Sequence, residues 1–220
     1  MNERITDIII HGLVLFTAFP IHECAHALTA HWLGDDTAKD EGRISLNPAK
    51  HLDPFGAILM LIAGFGWAKP VPINPNNFKN RKVGMAVSSL AGPFSNLILA
   101  YISIILYKAA AYYSLANGNS TVSALATIFL YAVYLNVGLA VFNLLPVPPL
   151  DGSRIFNLVL PEKLYFKMMK YERVVFGVLF LLVFMGFLDR PLAFLREGAI
   201  TFMDMLSGWM DILMLFTLGR

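Results

Sequence analysis

Residues Val83 to about Ala111 form one long apolar run, and any fold for this chain must find it an apolar surrounding. A helix needs about 20 mostly apolar residues to cross a bilayer. Ile8 to about Trp32 and Thr121 to Asn143 also reach that length, and Val174 to Leu188 approaches it. Charge is correspondingly scarce. Only 15% of the chain is Asp, Glu, Lys or Arg while 57% is hydrophobic, against about 25% charged in ordinary soluble domains. The expected fold is an all-α polytopic membrane protein with about four to five transmembrane helices. One membrane-embedded domain over residues 1–220 is expected, with a core at about 8–155 and C-terminal helices at about 160–220.

The connecting segments refine this. Phe55 to Trp67 is apolar but too short to span comfortably, and it runs into Pro70, Pro72 and Pro75. It reads as re-entrant or interfacial. Before it, Gly42 to Pro48 reads as a short extended segment stopped by Asn47-Pro48. Glu162 to Arg173 carries mixed charge and reads as a surface helix. Pro191 to Leu218 contains Arg196, Glu197, Asp204 and Asp211. Asp204 and Asp211 lie seven apart and so share a helix face, which suits an amphipathic or bundle-facing helix. The apolar N-terminus could pass for a signal peptide, but no Ala-x-Ala-like site follows it, so a retained helix is expected.

Several classes are excluded. A net charge of +2 without a Lys/Arg-rich block gives no footprint for nucleic acid. Cys24 is the one cysteine, so this chain builds no internal disulfide framework, zinc finger or iron–sulfur site alone. Lys and Arg placement orients the spans. Lys69, Lys79, Arg81 and Lys82 precede the second span. Arg154, Lys163, Lys167, Lys170 and Arg173 follow the third, whereas Lys108 to Thr121 between them is nearly uncharged. Both basic segments are expected on the cytoplasmic side of the cell membrane, with the N-terminus outside.

Polar residues inside apolar helices then stand out, because ionisable groups at membrane depth are costly. His22-Glu23-Cys24-Ala25-His26 places two imidazoles four residues apart, about 40° apart around a helix axis. Both can reach one metal ion, and Glu23 sits one step off that face, where it can act on a metal-activated water. Cys24 lies on the far side and reads as a packing residue. A catalytic zinc takes three protein ligands and keeps an open position. The best third candidate is Asp151. It follows a span broken by Pro146, Pro148 and Pro149, and Gly152 lets the chain turn beside it. Non-helical backbone at membrane depth has to line a cavity or be buried in protein. His51, in a Pro-flanked loop, is the runner-up. Asn96 and Asn136 are expected to bond between helices, His31 to sit at the interface, His11 to pack in the bundle, and Trp32 and Trp67 to join the aromatic belt.

His22-Glu23-x-x-His26 followed downstream by Asn143-Leu144-Leu145-Pro146-x-Pro148-Pro149-Leu150-Asp151-Gly152 resembles the site-2 protease family of intramembrane metalloproteases. Gly42-Arg43-x-Ser45-Leu46-Asn47-Pro48, His51-x-Asp53-Pro54-x-Gly56, Gly66-Trp67-Ala68-Lys69-Pro70-Val71-Pro72 and Ala91-Gly92-Pro93-x-x-Asn96 are similar to its bacterial members. The resemblance covers roughly His11 to Ile155. It implies one Zn²⁺ per chain held by His22, His26 and Asp151, Glu23 as general base, and Asn143 positioning the substrate or stabilising the oxyanion. It implies a transmembrane protein as substrate and an active site toward the cytoplasm. A compact type is expected, without the extra helix and PDZ domain of larger members. Substrate helices must unwind to be cut, and Arg43, Ile44, Ser45 and Leu46 are expected to offer a strand edge to the unwound stretch. Two other classes fit the residues less well. A metal-binding protein that does not cleave has no need of Glu23. A zinc transporter would require further acid or His pairs along several helices, and Thr121 to Asn143 contains none.

Overall fold

The computed structural model describes residues 12–63, 66–161 and 170–217. Among them the chain is helical, and no strand is formed. A π-helical turn, Val14–Ala18, leads into α1, Phe19–Trp32. Pro20 lies in the first turn of α1. It has no N–H to return to the preceding turn, and the wider π turn just before it absorbs that missing bond.

After a short α2, Thr37–Asp40, comes the apolar α3, Pro54–Ala63. At ten residues it extends about 15 Å, half the thickness of a hydrocarbon core. Its two flanks meet: Leu52 bridges Ala68 antiparallel, and the Lys69 N–H donates to the His51 carbonyl at 2.7 Å. The segment therefore enters and returns on one side, as a re-entrant element does. Gly56 permits the close return, because a Cβ there would collide with the Trp67 backbone.

The framework is a long hairpin of α4, Arg81–Asn117, and α5, Ser120–Asn143. Asn80 caps α4 by accepting from the Val83 N–H, and Asn119 caps α5 by accepting from Thr121 and Val122. Gly118 closes α4 at φ 65°, the left-handed C-terminal geometry that favours glycine. The 37 residues of α4 make it about 55 Å long. It continues through what the sequence suggested was a loop from Lys108 to Thr121, and the connection shrinks to Gly118-Asn119. Ala100 and Ile104 of α4 pack against Val133 and Val137 of α5, with Met203 completing the cluster.

The C-terminal part holds α6, Asp151–Phe156; α7, Glu172–Phe184; α8, Asp189–Leu206; and α9, Gly208–Thr217. Among the described residues two helices, α4 and α5, are long and apolar enough to cross a membrane; the count becomes three if the α7–α8 pair, bent by 84°, forms one span. The 13 residues of α7 are thus shorter than the expected fourth span. The N-terminal part of the first expected span and most of the proposed surface helix after Glu162 lie outside the described residues.

Lys108 explains the charged tail. Its side chain is buried inside the bundle, and its ammonium reaches Asp204 Oδ1 at 2.9 Å and Asp211 Oδ2 at 2.6 Å. The two acids do not share one continuous helix, since buried Ser207 separates α8 from α9. They nevertheless converge on one cation, which draws both helices onto α4.

A second polar knot closes the opposite end of the bundle. Buried Asp35, just past α1, accepts from the Thr37 N–H and hydroxyl, the Asn74 N–H and the Asn77 amide. Burial pushes its carboxyl up, but these hydrogen bonds outweigh burial and hold it below the usual aspartate value. His31 bonds Asp36 at 2.5 Å beside this knot.

Candidate metal centre

Two helices and one turn build the centre. His22 and His26 lie one turn apart on α1, with ring centroids 4.6 Å apart. Asp151 arrives at the first residue of α6. After α5 ends, Leu144 to Leu150 runs as a tight non-helical turn containing a cis Pro148–Pro149 bond. Gly152 lies so close to the Leu144 and Leu145 carbonyls that no Cβ would fit. This close approach folds the turn back and sends Asp151 inward. Ser153 ties the start of α6 by donating to the Leu150 carbonyl at 2.7 Å.

Asp151 Oδ2 lies 3.2 Å from both His22 Nε2 and His26 Nε2. One ligand atom from each of the three residues lies within 4.8 Å of the others. All three residues are at least nine-tenths buried. Two donors about 2.1 Å from a tetrahedral ion are separated by about 3.4 Å, close to these spacings. His26 Nδ1 donates to the Ser88 carbonyl at 2.7 Å, fixing the tautomer that turns Nε2 toward the shared point. Gly92 of α4 forms the opposing wall, where a Cβ would strike both imidazoles. The cradle, burial and N, N, O donor set fit a zinc ion with three protein ligands.

The remaining expected residues fall at different distances from this point. Glu23 is half-buried on α1, and its charge acts on His26 and on His51. The Cys24 thiol meets the Ser45 backbone, so it packs α1 against the 43–46 segment. Asn143 closes α5, and its amide donates to Leu139 of the same helix at 3.0 Å. His51 is not grouped with the ligands. It is fully buried, with Nε2 donating to the Ser45 carbonyl at 2.6 Å, and burial holds its imidazole below the ordinary histidine value. Arg43 is also buried, and its guanidinium is spent on the Lys69 and Pro70 carbonyls. The segment Arg43 to Leu46 forms no strand, and its exposed side chain is Leu46.

Asn136 bonds Ala132 within its own helix, not across helices, and neither amide atom of Asn96 has a hydrogen-bond partner. His11 lies outside the described residues. Ser88 and Gly92 are the contributors to which the sequence assigned no role, although Gly92 stands in one of the family-like motifs. A Gly-Pro pair inside a long helix was the available signal, because an interior glycine costs about 1 kcal/mol and marks a close approach.

Residues 108–186 match the model of peptidase family M50. The curated relatives carry the names "Putative zinc metalloprotease" YwhC, Rip2 and MJ0611. The first, from Bacillus subtilis (strain 168), is 46% identical over 171 residues, which is 76% of this chain and 78% of the relative. The chain belongs to peptidase family M50. Rip2 of Mycolicibacterium smegmatis is 32% identical over 137 residues, 60% of this chain and 50% of the relative. MJ0611 of Methanocaldococcus jannaschii is 30% identical over 164 residues, 71% and 73% of the two chains. No solved structure matches. This M50 peptidase is an all-α membrane protein and a zinc metalloprotease, and its buried His-His-Asp group matches that chemistry.

Proposed function

We propose that this M50 peptidase cleaves transmembrane segments of other proteins, with His22, His26 and Asp151 holding one zinc per chain and Glu23 as general base. The carrying observation is the convergence of three buried ligand atoms across 129 residues of sequence, between α1 and the turn after α5. When bound, zinc supplies a Lewis acid and lowers the pKa of water toward about 7. Glu23 takes the proton of the attacking water at its carboxylate. It then passes that proton to the leaving nitrogen.

Asn143 orients the substrate carbonyl with the N–H that is not bonded to Leu139. Arg43 acts on the substrate indirectly, by fixing the backbone of Ile44 and Ser45, while exposed Leu46 supplies an apolar contact. The basic segments around Lys69 to Lys82 and Arg154 to Arg173 favour an orientation in the cell membrane with the centre toward the cytoplasm.

Glu23→Gln separates chemistry from binding. Gln cannot accept the proton, so cleavage of a single-helix substrate in liposomes should fall 10²–10⁴-fold while zinc content stays near one per chain. Cleavage near the wild-type rate would remove Glu23 from the mechanism.

A further inference from the structure

The two imidazoles of the metal centre are not equally supported. His26 Nδ1 has the Ser88 carbonyl at 2.7 Å. His22 Nδ1 is buried with no hydrogen-bond partner. If His22 offers Nε2 to the ion, Nδ1 carries the proton, and a buried N–H without an acceptor is costly. Metal-bound histidines almost always give that second N–H to an oxygen.

Asn96 has the complementary defect. It is 0% exposed, and neither its Oδ1 nor its Nδ2 has a partner. Its place in the fold points toward His22. Contacts between α1 and α4 run in opposite order along the two helices. Ser88 meets His26, and four residues later Gly92 meets both His26 and His22. The helices are therefore antiparallel, and each turn forward on α4 is a turn back on α1. Asn96, one turn beyond Gly92, stands about 6 Å further along, past the level of His22.

Side-chain direction closes the gap. A helical side chain leans toward the N-terminus of its own helix. On α4 that tilts Asn96 back toward Gly92. On antiparallel α1 it tilts His22 forward toward the level of Asn96, so the two lean toward each other. Joining Oδ1 to Nδ1 then requires a rotation of the Asn96 amide or one bridging water. We propose that Asn96 is the positioning residue for His22: its Oδ1 accepts the His22 Nδ1–H and holds Nε2 toward the metal, as the Ser88 carbonyl does for His26. This assignment rests on His22 being a zinc ligand.

The experiment is zinc affinity by chelator competition on the full chain in detergent, for wild type, Asn96→Leu, Asn96→Asp and His22→Ala. Leu keeps the bulk of Asn without an acceptor, whereas Asp keeps the acceptor. Loss of such an outer partner typically weakens metal affinity 10–100-fold. That loss is expected in Asn96→Leu, with affinity retained in Asn96→Asp. Wild-type affinity in Asn96→Leu, or equal loss in both variants, would overturn the proposal. Undiminished zinc in His22→Ala would overturn the ligand assignment and the proposal with it.

Nitrogen-15 spectra of labelled histidines in the zinc-loaded protein give a second measure that does not depend on Asn96→Leu folding. A proton on His22 Nδ1 whose resonance moves in Asn96→Asp supports the contact. A resonance identical in the two proteins refutes it.

Discussion

Gly92→Ala tests the centre with a single methyl group. An ideal Cβ at this position falls 2.6 Å from His22 Nε2 and closer still to His26, whereas ordinary van der Waals contact begins at 3.4 Å. The His22 ring would have to retreat by the difference, 0.8 Å. Zinc sites hold their ligand distances within about 0.2 Å, so that displacement is several times the tolerance. Retreat by α4 is resisted, because buried Pro93 and Ser89 pack beside Gly92 and the hairpin with α5 continues beyond. The expected result is a fall in zinc affinity of at least 10-fold, the lower end for a disturbed ligand shell. Helix content should change little, since alanine is the better helix former by about 1 kcal/mol. The assay is metal analysis after dialysis against a graded chelator, with circular dichroism on the same sample. Gly92→Ala with wild-type zinc affinity would refute the cradle and the assignment of both imidazoles to one ion.

The polar contacts and the α4–α5 hairpin carry three further outcomes. Asp204→Asn with Asp211→Asn leaves the buried Lys108 ammonium without a counter-ion, with the Asp204 backbone carbonyl at 3.3 Å still accepting from it, a loss of up to about 3–5 kcal/mol. Lys108→Met leaves carboxylates whose side chains are 59% and 34% exposed, so it should destabilise less; thermal unfolding in detergent showing the reverse order would refute the asymmetry. Asp35 has a depressed folded pKa, so its contribution is present above the unfolded value of about 3.9 and fades as pH falls through the lower folded value. The stability gap between wild type and Asp35→Asn should narrow below about pH 4, and a gap that widens there would contradict the knot. Single-cysteine labelling in a Cys24→Ala background should find Lys79 and Arg154 positions on one face of the membrane; opposite faces would break the hairpin of α4 and α5.

Much of this protein was legible in its sequence because the strongest signals are local. Apolar runs long enough to cross a bilayer announced α4 and α5, since lipid leaves the backbone no other partner than itself. The His22–His26 pair was equally plain, because helix geometry converts a spacing of four into a shared face. The Phe55–Trp67 run was too short to cross, and its ends do return together. Asp151 was a candidate from its broken, proline-rich surroundings, but His51 remained open beside it. Chain spacing cannot tell which of two distant side chains arrives at a third.

Tertiary structure decided the long-range choices. It brought Asp151 within 3.2 Å of both imidazoles and sent His51 to the Ser45 carbonyl. It made Arg43, expected at a strand edge open to the substrate, an internal brace on the Lys69 and Pro70 carbonyls. Lys108 was misread for the same reason: a charge inside an apolar run looks like a helix end unless its counter-ions are known, and these lie about 100 residues downstream. The Gly92-Pro93 pair signals a close approach along the chain, but not to what, because an absent side chain has meaning only when another helix fills its space. Periodicity and length fix what each segment can be. Which buried polar groups meet is settled by the packing of helices, where an unpaired charge or N–H is costly.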